Sequence, residues 1–181
     1  MLKNKGTLFF VQAAVIAALY ATLTYAQSFL LPGSVTMAVQ FRVSEVLTML
    51  ALFTPAAIPG LTVGCVLANI TSLSALGPYD MIFGSLASLL AALAIYALRN
   101  VRIKSIPMLS LIMPAIFNGI IIGLEIEIFF VEGGFHLADF LFQGGCVALG
   151  ELGVCVILGI PFIKAIEKSK LDKRLFSKNV A

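Results

Sequence analysis

Charge is what this chain has least of. Only 12% of its 181 residues are charged and 60% are hydrophobic, and the mean hydropathy is +1.06. Soluble domains carry about a quarter charged residues, so composition points to a chain dissolved in lipid. Chemical motifs are scarce as well. No Gly-x-x-x-x-Gly-Lys-Ser/Thr loop occurs, which excludes ATP hydrolysis by that route. No His-Glu-x-x-His and no Gly-x-Ser-x-Gly occurs, and no nucleophile–base pair is evident in the apolar runs. The three cysteines, Cys65, Cys146 and Cys155, lie in apolar runs without Cys-x-x-Cys spacing. They read as small buried hydrophobes rather than metal ligands. No hydrophilic stretch is long enough for a second domain, and no internal repeat is visible.

What is present is a series of apolar runs, several of them at least the ~18 residues that span a bilayer as a helix. The expected fold is an all-α integral membrane bundle, one domain over 1–181, of six transmembrane helices. They cover about 7–31, 42–54, 60–76, 79–98, 107–131 and 136–168, with a basic tail over 169–181. Pro32-Gly33, Pro55, Pro59 and Gly77-Pro78 act as breakers. "MLKNK", an apolar stretch and "TYAQS" imitate a signal peptide. The apolar run continues to Leu31, so the segment reads as the first membrane helix.

The net charge of +3 does not point to nucleic acid, because the basic residues mark topology. Eleven of the twelve Lys and Arg fall before the first helix (Lys3, Lys5), between the fourth and fifth (Arg99, Arg102, Lys104), or from Lys164 onward. Cytoplasmic loops carry such an excess, so both termini are expected in the cytoplasm. Arg42 is the exception, at the outer end of the second helix. Seven of the nine acidic residues map to the outer side or the membrane interior. Such a field attracts a small cation from outside.

Ionisable residues inside a membrane normally face the bundle interior and mark function. Asn118 and Glu125 are seven apart on one helical face and are expected to line a cavity. Glu127 points the other way and is expected at the interface. In the last helix, His136 and Gln143 share a face, with Asp139 nearby. His136 reads as a solvated loop residue, because a metal site wants more ligands near it. Glu151 lies ~22 Å below the start of that helix, where binding a ligand and a structural hydrogen bond are both open readings. Arg42 and Glu45 are three apart. They form an i,i+3 ion pair or reach a ligand beneath the loop "SVTMAVQ". Asp80 suits a helix N-terminus, and Asn69 an interhelical hydrogen bond. Ala13, Ala17 and Ala21 form a row, flanked by Ala14 and Ala18, that lets another helix approach closely. That helix belongs to this chain or to another protein.

"QFRVSEVLTMLALFTPAAIPGLTVGCVLANI", "GPYDMIFGSLASLLAAL", "MPAIFNGIIIGLEIE" and "GELGVCVILGIP" together resemble the QueT family of queuosine-precursor transporters. These are substrate-binding S components of energy-coupling factor (ECF) transporters. The resemblance implies a non-enzymatic protein of the bacterial cell membrane without cofactor or metal. It would capture 7-aminomethyl-7-deazaguanine or a close relative from outside, then tilt to carry it inward. A transmembrane T subunit and two ATPases would supply the energy, and the five alanines would dock on the T subunit. The substrate's guanine-like edge and its ammonium each want a carboxylate. Glu125 and Glu151 are the candidates, with Asn118 reading the carbonyl edge and Arg42 and Glu45 supporting a lid. Gln143, Asp80 and Asn69 complete the candidate site. The alternatives are an S component for another vitamin, such as thiamine or riboflavin, a small membrane enzyme using Asn118, Glu125 and Glu151, and a structural membrane subunit.

Overall fold

A long apolar helix satisfies its own backbone, which is why helices suit a chain that lies in lipid. The computed structural model describes residues 5–34, 41–73 and 77–172, and every regular element there is helical. The elements are α1 (Lys5–Leu30), a 3₁₀ segment (Val43–Leu52), α2 (Ala57–Ala68), a short 3₁₀ turn (Asn69–Ser72), α3 (Tyr79–Ala97), α4 (Met108–Phe129), α5 (Leu137–Val154), a π turn (Cys155–Gly159) and α6 (Ile160–Lys168). Among the described residues, four stretches are long and apolar enough to cross a membrane: Lys5–Leu30, Tyr79–Ala97, Met108–Phe129 and the continuous Leu137–Lys168. The 3₁₀ segment and α2 are apolar but shorter.

Large apolar side chains cover the outside, with Phe29 85% and Phe10 72% exposed. In water such a surface would drive aggregation; in lipid it is ordinary solvation. The interior is organised around the 3₁₀ segment, where nine of ten residues are buried. Leu47, Met49 and Leu50 pack there with Ile16 and Tyr20 of α1, Leu61 of α2, Ile95 of α3 and Leu111 of α4. Ten residues reach ~20 Å in this form against ~15 Å in an α-helix, so a short sequence traverses much of the core. Where α4 meets α5, a Cβ on Gly144 would stand 2.5 Å from the carbonyl oxygen of Gly119. That crossing needs a glycine.

Several expected boundaries move. The segment expected over 42–54 is 3₁₀ rather than α. The next helix starts at Ala57, so Pro59 sits in its first turn, where no intrahelical N–H is needed. It changes to 3₁₀ at Asn69. The last helix is interrupted by the π turn just after Glu151. Residues 35–40, where a loop is expected, residues 74–76, Lys3, and Lys173, Arg174 and Lys178 lie outside the described residues. Near the start of α4, Arg102 pairs with Glu167 at 2.6 Å, which puts the basic 99–104 turn and the basic end of α6 at one end of the bundle.

Candidate functional site

The central polar group is built on Arg42, which is 5% exposed. Its Nη2 donates to Asp80 Oδ1 at 3.2 Å and Oδ2 at 3.4 Å, and its Nη1 to Asn69 Oδ1 at 3.3 Å. Asn69 Nδ2 donates to the Asp80 carbonyl at 2.9 Å. Asp80 stands in the first turn of α3, where the helix dipole favours a carboxylate. A Cβ at Gly84 would lie 2.8 Å from Asn69 Nδ2, so that glycine leaves the amide its place.

Arg42 and Glu45 form no ion pair with each other. Arg42 is the N-cap of the 3₁₀ segment with extended backbone, φ −99° and ψ 100°. The rule that i and i+3 share a face holds inside an α-helix, and here the two side chains diverge. Glu45 instead accepts a hydrogen bond from the Tyr20 hydroxyl. Beside it, Thr24 Oγ1 donates to Ser44 Oγ at 2.7 Å. Gln27 Nε2 donates to the Phe41 carbonyl and, at 3.0 Å, to Ser34 Oγ, while its Oε1 accepts the Val43 N–H at 2.7 Å. Gln27 thus ties Ser34 to Phe41 and Val43. Tyr20, Thr24 and Gln27 escape the sequence reading, although their i, i+4, i+7 spacing in an apolar helix marks one inward polar stripe.

Glu125 and Glu151 are 2% and 1% exposed. Arg42 and Glu45 act electrostatically on Glu151, and Arg42 and Asp80 act on Glu125. One buried guanidinium therefore pairs with Asp80 and lies within electrostatic reach of three more buried carboxylates, Glu45, Glu125 and Glu151. Asp80 is paired through both oxygens. Glu45, Glu125 and Glu151 each keep a buried Oε2 without a hydrogen-bond partner, as does the Nε of Arg42. A buried ionised group without partners is expensive. This arrangement can accept several N–H donors and balance a positive charge.

The other expected residues make no hydrogen bond to the Arg42 group among the described residues. Asn118 is buried and donates to the Pro114 carbonyl at 3.0 Å on its own helix. No hydrogen bond joins the half-buried Gln143 to the Arg42 group among the described residues. Glu127 is 1% exposed: the turn into α5 folds over it, and its Oε1 accepts the His136 N–H at 2.7 Å. His136 is exposed, at the N-cap of α5. The alanine row divides. Ala13, Ala17 and Ala21 are buried, and Cβ atoms on Gly60 and Gly64 of α2 would lie 2.8 Å from the Ala13 carbonyl and 3.0 Å from that of Ala17. Their close partner is within this chain. Ala14 and Ala18 are exposed.

The family model described as QueT transporter matches residues 10–168. No curated protein and no solved structure gives a significant match.

Proposed function

The chain belongs to the QueT transporter family, a family of membrane transporters and not of enzymes, and from that premise we propose that it is the substrate-binding S component of an ECF importer. It is a multi-pass protein of the cell membrane. The proposed cargo is a queuosine precursor, 7-aminomethyl-7-deazaguanine or a close relative, captured from outside. The observation that supports this reading is the imbalance around Arg42. Three buried carboxylates with open acceptor atoms suit a ligand that brings N–H donors and an ammonium.

In this reading Glu125 and Glu151 take the guanine-like edge and the ammonium between them. Arg42, Asn69 and Asp80 form the fixed wall beside them. Glu45, held by Tyr20, supports the start of the segment Val43–Leu52. Asn118 and Gln143 flank the site from α4 and α5. In this reading the two shorter segments, Val43–Leu52 and α2, join the four long stretches as six passes, with both termini in the cytoplasm. The T subunit approaches α1 on its exposed face, where Ala14 and Ala18 lie with Val11, Val15 and Leu19. Ala13, Ala17 and Ala21 shape that helix from behind through their seam with α2. The T subunit and its two ATPases supply the energy this chain does not generate.

The test is mass spectrometry of ligand released from gently purified protein, followed by titration with 7-aminomethyl-7-deazaguanine. Recovery of that compound supports the assignment. Recovery of thiamine, riboflavin or another vitamin replaces the substrate and keeps the transporter. A folded sample that neither carries nor binds a small molecule removes the binding role.

A further inference from the structure

We propose that Glu127, His136 and Asp139 form a site for a divalent transition-metal ion where α4 hands over to α5. A carboxylate oxygen from each acid and a ring nitrogen of the histidine lie within 4.8 Å of one another. The sequence alone argues against such a site, since His136 has no second histidine or cysteine nearby. The fold supplies what the sequence hides. Gly133 and Gly134, at φ 108° and 91°, take backbone conformations that favour glycine and return the chain over the end of α4. His136 Nδ1 then stands 4.0 Å from Glu127 Oε1.

Glu127 carries the argument. Capping the start of α5 occupies one oxygen, Oε1, with the His136 N–H. The other, Oε2, is buried and has no hydrogen-bond partner. The dipole of α5 accounts for Asp139 in its first turn but not for that oxygen. One imidazole nitrogen and two carboxylate oxygens make a donor set for Zn²⁺ or its neighbours in the series rather than for Mg²⁺ or Ca²⁺. Bond lengths of about 2.0–2.2 Å require the donors to draw together. His136 and Asp139 are exposed and have room to turn inward onto the fixed Glu127. Water completes the coordination. A bound ion would tie the end of α4 to the start of α5. The proposal is independent of the transport reading.

The test uses the full chain in detergent, with any affinity tag removed, stripped by a chelator and titrated with Zn²⁺ by calorimetry and with Co²⁺ by absorption. The expected result is one ion per chain and a rise in melting temperature with Zn²⁺. The Co²⁺ spectrum should lack thiolate charge-transfer bands, which excludes Cys65, Cys146 and Cys155. His136→Gln and Asp139→Asn change exposed side chains and leave the fold intact, and each should weaken Zn²⁺ binding tenfold or more. Glu127→Gln should do the same if it folds. No saturable binding, thiolate bands, or affinity unchanged in both exposed variants would overturn the proposal.

Discussion

The seam between α1 and α2 and the polar group around Arg42 are both buried, and they are built in opposite ways. At the seam, Ala13 and Ala17 meet Gly60 and Gly64 with no room for another carbon. The seam's alanines and glycines bring no polar side chain. Around Arg42, charge is concentrated and incompletely paired. Close contact alone explains the seam. Nothing in stability explains the centre, because apolar residues of similar volume would often hold a buried site as well or better. In the proposed reading, the centre is the place where stability is given up for binding.

Four substitutions sharpen this contrast. Arg42→Ala should have the largest effect. It leaves Asp80 buried without its partner, and breaking a buried pair costs about 3–5 kcal/mol. Thermal melting in detergent should drop sharply or folded yield should vanish, and Arg42→Met with Asp80→Asn should regain a good part of it. Glu151→Gln comes next and reverses the pattern. A neutral amide is cheaper to bury, so ligand-free stability should hold or rise. Affinity for the substrate should fall at least tenfold, about 1.4 kcal/mol, as read by titration. Gly144→Ala attacks a packed crossing. Overpacking costs about 1–3 kcal/mol, so melting should fall while the folded fraction binds ligand as before. Arg102→Ala removes an ion pair that is a third exposed on each side. Melting should change by less than ~1 kcal/mol.

The long helices were legible because length and apolar content alone identify them. The buried carboxylates Glu125 and Glu151 were legible as rare charges in apolar runs. Their surroundings were not. Arg42 meets Asp80 across 38 positions, a pairing set by an extended N-cap that no helical spacing predicts. The 3₁₀ form of Val43–Leu52 comes from packing on all sides, which overrides local preference. The burial of Glu127 was not legible, because the turn that covers it depends on two glycines with positive φ. The alanine row drew attention to one side of α1, and the stripe of Tyr20, Thr24 and Gln27 beside it passed unread.

The central claim is that Glu125 and Glu151 bind a donor-rich cation beside Arg42. The most direct measurement is the dissociation constant of 7-aminomethyl-7-deazaguanine for the full chain and for Glu125→Gln and Glu151→Gln, with melting temperatures to establish that each is folded. Saturable one-to-one binding by the unaltered protein, weakened at least tenfold in both folded variants, is the predicted result. Undiminished binding in both would contradict the account and move the substrate away from the Arg42 group.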